Sequence, residues 1–401
     1  MRIALVTDTY PPQVNGVART LDRLVRHLVH AGHEVALVSP AQDRAPAVPP
    51  TLHLPIPGVP LPLYPELLFT RIPGKAKVEA LEAFDPQVVH CATESVLGWW
   101  GRGWAQRTLR PLVTSFHTDF AAYAAGYGLR FMAPLAWELL RRFHAPAIRT
   151  LVPSHPTLTL LRKRGFHGRM QRWSRGVDGE RFTPVHRDPA TRWELAPGAD
   201  VILLFVGRLA PEKRLPLLLE AFAQVRRRAS VRVTLVLVGG GPMEATLQGN
   251  GNGGEPPSGV RLAGYLEGEA LGRAYASADI FAFPSDTETF GNVVLEAMAS
   301  GLPVVAVNRG GVQDSVRHEE TGFLATAGDP QALASYLLRL VEDAGLRTRM
   351  GREGRLEALG RSWPRILDGV VAAYAEALSH TRGRRGAEPS IGEASAQEEA
   401  A

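Results

Sequence analysis

The chain has one cysteine and no long apolar segment, and each of these absences excludes a class of protein. Cys91 is the only cysteine among 401 residues, which excludes an internal disulfide framework and a cysteine-rich metal site. The longest apolar runs, such as Val201 to Val206, are far below the roughly 18 residues that span a bilayer. The N-terminal sequence MRIALVTDTYPP soon turns polar, which indicates a buried strand and no signal peptide. We therefore expect a cytoplasmic protein, either soluble or peripheral to a membrane.

Charge is unevenly distributed along the chain. Residues 1–183 carry 22 Lys and Arg against 13 Asp and Glu, a net charge of +9, whereas the remaining residues carry 23 and 27, a net charge of −4. A basic half suits attachment to an anionic surface of lipid headgroups or nucleic acid. Two unlike domains that simply differ in charge explain the asymmetry equally well. A nucleic-acid-binding role lacks a recognition motif and a basic stripe interleaved with aromatic residues.

Apolar, β-branched runs alternate with helical patterns, which predicts βαβ units around parallel sheets. The clearest helical pattern begins near Val17, keeps one apolar face at a period of 3.6 residues, and stops at Gly32. Two series of strands are predicted, starting at Ile3, Val35, Val88, Leu112 and Leu151 and then at Val201, Val231, Val260, Ile280 and Val304. The fold class is therefore α/β, with two doubly wound parallel sheets in tandem.

The strand pattern weakens between the two series, and this gap gives the predicted domain boundary. We predict a first domain over residues 1–183, a linker over 184–199 and a second domain over 200–362. The sequence at 249–259, GNGNGGEPPSG, predicts a flexible loop, and residues 381–401 predict a disordered tail. Ligands of such sheets bind outside the carboxyl ends of the strands, so the cleft between the domains is the expected site.

The loop after the first strand, PPQVNGV, places Gly16 and Val17 at the start of a helix. A glycine there lets a phosphate approach the backbone N–H groups and the positive end of the helix dipole. A tight turn that needs glycine for steric reasons is an equally good explanation.

Two cations follow the first strand of the second series, Arg208 after Gly207 and Lys213 five residues later. A diphosphate leaving group needs cations nearby, because negative charge grows on its bridging oxygen as the bond to the transferred group breaks. Lys213 is one of only four lysines among 45 basic residues, which favours a role for a compact point charge. A solvated loop cation remains the competing interpretation.

The segment from Pro284 to Gly301 places two carboxylates, Glu288 and Glu296, eight residues apart around a predicted helix start. Free N–H groups at that start favour a phosphate, and Glu296 is placed to accept hydrogen bonds from a ribose diol. Taken alone, the pair is also explained by one glutamate capping the helix and one in solvent. The residues expected to contact the phosphate are Thr289, Phe290, Gly291, Asn292 and Val293.

Together these motifs resemble glycosyltransferase family 4, the retaining branch of the two-Rossmann-domain fold called GT-B, over nearly the whole chain. The motifs that match are Gly16, His117 in SFHTD, Arg208 with Lys213, the run GGGP that contains Gly240 and Gly241, and Glu288 with Glu296. The resemblance implies two domains facing a cleft, with a helix near residues 363–380 crossing back onto the first domain.

The resemblance also implies a role for each side chain of these motifs. Arg208 and Lys213 would hold the diphosphate, Glu288 the hexose and Glu296 the ribose. His117 would contact the reacting sugar and stabilise an oxocarbenium-like transition state, and the nucleobase would lie near Tyr265. With no Asp-x-Asp motif at the donor position, and two cations there, we expect no cofactor and no obligatory metal.

Residues 129–149, LRFMAPLAWELLRRFHAPAIR, suggest an acceptor at a membrane. Apolar side chains along one side, with Trp137 and the basic residues Arg130, Arg141 and Arg142, suit a helix on an anionic bilayer. An amphipathic core helix with solvated arginines is the alternative. The resulting hypothesis is a retaining hexosyltransferase that moves mannose, glucose or galactose from a GDP- or UDP-sugar to a membrane lipid such as diacylglycerol.

Other functions stay open at this stage. A soluble glycan or small molecule is an alternative acceptor, and a nucleotide-sugar epimerase would use the same phosphate contacts without any acceptor. A noncatalytic partner subunit would tolerate loss of Arg208, Lys213, Glu288 and Glu296, all of which are present.

Overall fold

A computed structural model describes residues 1–13, 15–43, 45–61, 64–117, 130–248 and 256–386. Within these residues, a seven-stranded and then a six-stranded parallel sheet follow one another along the chain. Helices connect the successive strands, as in doubly wound α/β folds. This confirms the predicted fold class.

The first sheet is built from residues 2–172. Its strands are β1 (Arg2–Val6), β2 (Glu34–Pro40), β3 (Leu52–Ile56), β6 (Val88–Cys91), β7 (Leu112–Ser115), β8 (Arg149–Val152) and β9 (Met170–Arg172), and an antiparallel hairpin of β4 (Gly58–Leu61) and β5 (Tyr64–Thr70) follows β3. The strand order is β3-β2-β1-β6-β7-β8-β9. The helices are α1 (Gly16–His30), α2 (Lys75–Phe84), α3 (Val96–Arg107), α4 (Ala133–His144) and α5 (His155–Lys163), and a short 3₁₀ helix (Arg130–Met132) precedes α4.

Helix α1 illustrates how local sequence sets an element's ends. The side chain of Asn15 accepts a hydrogen bond from the N–H of Ala18 at 2.8 Å and so caps the N-terminus. Its apolar face is buried in the first core, and Gly32 follows its end at a φ of 75°, a conformation that favours glycine. The helix therefore begins and ends where the sequence predicts.

The second sheet is built from residues 201–325. Its strands are β10 (Val201–Val206), β11 (Val233–Val238), β12 (Val260–Gly264), β13 (Ile280–Phe283), β14 (Val304–Val307) and β15 (Gly322–Ala325), in the order β12-β11-β10-β13-β14-β15. Its helices are α7 (Leu215–Arg228), α8 (Glu244–Leu247), α9 (Gly268–Ser277), α10 (Asn292–Ala299), α11 (Pro330–Glu342) and α12 (Ala344–Leu359), with 3₁₀ helices at Pro211–Lys213 and Gly310–Asp314.

Residues 184–199 were predicted to be a linker, but in the structure they pack against the second domain. A 3₁₀ helix (Pro184–His186) and helix α6 (Pro189–Leu195) contact α9. Both Arg187 and Arg192 reach the carboxylate of Asp279, at 2.8 and 2.7 Å. The segment looks polar in sequence because its arginines satisfy that half-buried carboxylate, while Leu195 enters the core.

The final helix, α13 (Trp363–Gly386), crosses back onto the first sheet, as the resemblance implies. Five of its side chains are buried there, and each fully buried apolar side chain stabilises the fold by about 1.5–3 kcal/mol. They are Leu367, Val370, Ala373, Tyr374 and Ala377. The Tyr374 hydroxyl lies 2.7 Å from Nδ1 of His90 in β6, which ties the helix to the sheet through a buried polar contact.

Two predicted segments fall partly beyond the described residues. Of the predicted flexible loop, residues 249–255 lie outside them, and of the predicted tail, residues 387–401 do. The tail prediction starts too early, since α13 continues to Gly386. In the described part of the chain, every helix is too short or too polar to cross a membrane.

Candidate active site

The candidate site lies where the carboxyl ends of the two sheets face each other. Strand order reverses beside β1 in the first sheet and beside β10 in the second, and such switch points open a crevice in α/β folds. Residues that follow β7, β10 and β13 supply most of the predicted functional side chains. The structure thus brings residues from both halves of the sequence to one cleft.

His117 follows β7 and is only 6% exposed. Its Nδ1 lies 2.8 Å from Nη2 of Arg175, and Trp173 packs edge-on against its ring. Burial, reinforced by the guanidinium of Arg175, holds the pKa of His117 well below its ordinary value, so the ring is neutral near pH 7. Its Nε2 is buried and has no hydrogen-bond partner among the described residues.

The second domain contacts His117 directly through Thr289. The Thr289 hydroxyl donates to the His117 carbonyl oxygen at 2.7 Å. In turn, the Thr289 carbonyl oxygen accepts hydrogen bonds from the hydroxyls of Ser154 at 2.7 Å and Thr157 at 3.2 Å, both from the first domain. Thr289 was predicted to contact donor phosphate, and in the structure it joins the two sides of the cleft.

Lys213 and Glu288 form an ion pair in the cleft, and the side chain of each is 14% exposed. The Ser285 hydroxyl donates to the same carboxylate at 3.1 Å. The two residues predicted to hold the diphosphate and the hexose therefore lie side by side. Arg208 is half-buried just after Gly207, at the end of β10.

The loops after β10 and β11 interlock at the predicted glycines. The N–H of Leu209 donates to the carbonyl oxygen of Gly240 at 2.9 Å. A Cβ at Gly241, whose φ is 154°, would lie 2.6 Å from the carbonyl oxygen of Leu209. Only glycine fits this close approach of two backbones, so Gly241 has a structural reason independent of any ligand.

Two helix N-termini meet across the cleft. A Cβ at Gly16, the first residue of α1, would lie 3.1 Å from Nδ2 of Asn292, the first residue of α10. Val17 and Val293 follow them and are half-buried, and Gly291 adopts a φ of 86° just before α10. Positive helix ends on both sides of a cleft favour an anionic ligand between them. The buried Oδ1 of Asn292 also has no partner among the described residues.

Glu296 lies one turn into α10 and its carboxylate accepts from the Tyr275 hydroxyl at 3.0 Å. Burial raises the pKa of Glu296 above its ordinary value, and the Tyr275 hydrogen bond and Arg19 of α1 oppose that shift. The carboxyl therefore lies between the second domain and α1 of the first, and its contact with a ribose stays a prediction. Tyr265 follows β12 and is 54% exposed, and its contact with the nucleobase stays a prediction.

The side chain of Phe290 is buried, whereas its predicted contact with the donor phosphate is through its backbone N–H group and stays a prediction. It is 3% exposed, belongs to the second core and lies under the guanidinium of Arg175 at 6.0 Å. Its bulky ring is therefore an anchor for the loop that carries Glu288.

The described residues hold no group of three His, Cys, Asp or Glu side chains that could bind a metal.

The predicted membrane segment divides into an inward and an outward face. Leu140 and Phe143 of α4 are buried, whereas other apolar residues, just before the helix and within its first seven residues, are exposed. The exposed apolar patch consists of Phe131, Met132, Leu135 and Leu139, with 78%, 42%, 57% and 45% exposure. The segment therefore combines features of both interpretations, since a core helix and an exposed apolar patch share it.

The polar residues of this segment also differ from expectation. Trp137 is half-buried, packs edge-on against Phe166 and lies beneath Arg164, so it belongs to the helix packing. Arg141 and Arg142 both form ion pairs with Glu138, which halves their combined charge. The side chain of Arg130 lies outside the described part of the chain.

Sequence reasoning missed several residues that build the site. Arg175 is buried beside His117, and Ser154 and Thr157 hold Thr289. Gly311 donates its N–H to the Glu288 carbonyl oxygen at 2.7 Å, where a Cβ would lie 2.3 Å from the carbonyl oxygen of Thr289. The Gly310-Gly311 pair is visible in the sequence as a possible close approach of two backbones. The contact between Arg175 and His117 is not visible there, because the two residues are 58 positions apart.

Two facing parallel α/β sheets, a cleft with opposed helix N-termini and a returning final helix define the GT-B class of glycosyltransferases. Comparison with known proteins agrees. The family model for Glycosyltransferase Family 4 matches residues 14–181, and that for Glycosyl transferases group 1 matches residues 188–357. The chain therefore belongs to glycosyltransferase family 4.

Relatives with known names resemble the chain along nearly its full length. A GDP-mannose-dependent alpha-mannosyltransferase of Mycobacterium tuberculosis is 37% identical over 96% of this chain and 98% of that protein. One of the same name from Corynebacterium glutamicum is 31% identical over 94% of this chain and 90% of that protein. The structure of sucrose-phosphate synthase from Thermosynechococcus elongatus superposes with a TM-score of 0.74 at 24% identity, covering 95% of this chain and 100% of that one. The last likeness concerns the fold alone.

Proposed function

We propose that the protein is a retaining α-mannosyltransferase that uses GDP-mannose and glycosylates an acceptor at a membrane surface. The observation that carries the donor is the 37% identity, along 96% of the chain, to a relative named as GDP-mannose-dependent. The cleft supports a nucleoside diphosphate sugar, because two helix N-termini meet there and Lys213 pairs with Glu288, while Arg208 follows β10 and Glu296 lies in α10. The contacts of these four residues with the donor are part of this proposal.

The donor and the stereochemistry are tested in one assay. The protein is incubated with GDP-mannose, GDP-glucose, UDP-glucose or UDP-galactose and with a panel of membrane lipids, and nucleotide release and product anomer are followed. Transfer from GDP-mannose with an α-linked product supports the proposal. Preference for a UDP-sugar would overturn the donor assignment, and a β-linked product would overturn retention.

Activity should not require a divalent metal ion. Arg208 and Lys213 can neutralise the diphosphate that leaves with the nucleotide, which is the task a metal performs in other transferases. We expect the initial rate with GDP-mannose to be unchanged by an excess of EDTA. A rate abolished by EDTA and restored by Mg²⁺ or Mn²⁺ would contradict this expectation.

The exposed apolar patch at the start of α4 is the proposed membrane contact. Four large apolar side chains within nine residues are exposed there, and insertion of each into the headgroup region removes apolar area from water. Arg141 and Arg142 lie at the other end of the same helix, where their charges outnumber that of Glu138. A lipid acceptor would then reach the cleft from the bilayer without leaving it.

Replacing the patch should release the protein from vesicles. We expect F131S/L135S to weaken binding to vesicles of phosphatidylcholine and phosphatidylglycerol about tenfold or more, since burying one such side chain stabilises by about 1.5–3 kcal/mol. R141Q/R142Q should weaken binding to these vesicles and not to neutral ones. The matched control is W193S, because Trp193 is 64% exposed on the second domain. Equal vesicle binding by F131S/L135S and the unaltered protein would rule out this surface.

A further inference from the structure

Arg175 is a buried cation with an unusual set of contacts. It is 5% exposed and lies in the segment after β9, between the first domain and Phe290 of the second. Its Nη1 donates to the carbonyl oxygens of Trp173 at 2.6 Å and Ser174 at 3.2 Å, and its Nη2 contacts His117. Among the described residues, no carboxylate forms an ion pair with it. A buried guanidinium to which the described residues offer no carboxylate is costly, which favours a role beyond packing.

The contact with His117 identifies which ring nitrogen carries the proton. A guanidinium only donates hydrogen bonds, so Nδ1 of His117 must be the acceptor in the 2.8 Å contact with Nη2. The proton of the neutral ring is then on Nε2, the buried nitrogen for which the described residues supply no hydrogen-bond partner. The free N–H is therefore on the side of the ring opposite Arg175.

We propose that Arg175 is a positioning residue that fixes His117 as the neutral tautomer protonated on Nε2, ready to donate to the transferring sugar. The catalytic part of this assignment rests on the proposed glycosyl transfer, whereas the tautomer does not. Trp173 contributes by packing against both side chains, edge-on to His117 and under the guanidinium at 5.0 Å.

The charge on Arg175 has a second effect on His117. Protonation of the ring would place a second positive charge beside the guanidinium, where Nδ1 would also lose its role as acceptor. The other titratable groups that act on His117 are His90 in β6 and His144 in α4. A neutral donor suits an oxocarbenium-like sugar, because an imidazolium at the same place would repel the positive charge that develops.

The tautomer is measured in the full chain without any donor. Long-range ¹⁵N–¹H NMR of histidine-labelled protein, with H117Q to assign the signals, should show His117 protonated on Nε2 only and not titrating from about pH 5.5 to 8. In R175M we expect a mixture of tautomers and a higher pKa for His117, since a positive neighbour has been removed. An unchanged tautomer and titration in R175M would overturn the proposal even if the protein transferred no sugar.

Kinetics then separate positioning from direct contact with phosphate. R175M should lower kcat roughly 10- to 100-fold, the worth of one hydrogen bond to a charged group, with a further loss as the pH falls below 7 and with GDP affinity unchanged. R175K keeps a cation and should fall between R175M and the unaltered protein; it carries the same test if R175M does not fold. The control R172M removes an exposed arginine three residues away. Weakened GDP binding with an unchanged tautomer would assign Arg175 to the diphosphate and refute the positioning role.

Discussion

H117A is expected to lose about 10²–10³-fold in kcat, the usual effect of removing one preorganised hydrogen-bond donor from a transition state. The reason is the buried Nε2–H of His117, for which the described residues supply no hydrogen-bond partner. The ring is held in place by the contact of its other nitrogen, Nδ1, with Arg175. The groups expected to hold the nucleotide, Arg208 and Lys213, belong to the other domain. Affinity for GDP should therefore stay close to that of the unaltered protein.

The measurement is kcat with GDP-mannose, beside GDP binding by calorimetry. The control H167A removes an exposed histidine from the same domain. Unchanged turnover in H117A would eliminate His117 as a participant in the reaction. Equal losses in turnover and in GDP affinity would instead identify His117 as a donor-binding or structural residue.

K213M is expected to lower kcat/KM by about 10²–10³-fold. Lys213 is the partner of Glu288 in a pair whose side chains are each 14% exposed. Its removal takes away a cation for the leaving diphosphate and leaves the Glu288 carboxylate close to that anion. Repulsion between like charges then adds to the loss of attraction.

A double-mutant cycle tests this explanation. K213M/E288Q removes the repelling carboxylate as well, so it should bind GDP more tightly than K213M while remaining slow in transfer. K163M removes an exposed lysine and is the control. GDP affinity as weak in the double variant as in K213M would show that Glu288 does not act on the diphosphate through its charge.

The sequence predicted the elements whose signal is local. The strands from Val201 and Ile280 are continuous apolar runs bounded by turn residues, and the start of α1 is marked by Asn15 and Gly16. Short or partly polar strands such as β9 (Met170–Arg172) were missed because three residues carry no period. Helix α6 was missed because its one arginine, Arg192, pairs with Asp279, a carboxylate 87 residues away in sequence.

In the candidate site, too, the residues with a local sequence signal were predicted and the contacts between distant residues were not. Glu288 and Glu296 lie in one segment, and their spacing placed both in the cleft. The contact of Lys213 with Glu288 could not be read from sequence, because it depends on the packing of β10 beside β13. Trp137 was misjudged for a related reason: an aromatic residue on an amphipathic helix can face Phe166 or solvent, and only the tertiary structure decides which.

The crossing of α13 has a consequence for the order in which the protein folds during synthesis. The first core includes Leu367, Val370 and Tyr374, which the ribosome adds only after the whole second domain. Synthesis proceeds at about 5–20 residues per second, so on the order of ten to forty seconds pass between the synthesis of the first sheet and that of α13. Throughout this interval the apolar groove beneath α13 is uncovered. The second core includes no residue downstream of α12, so its packing does not depend on α13 in this way.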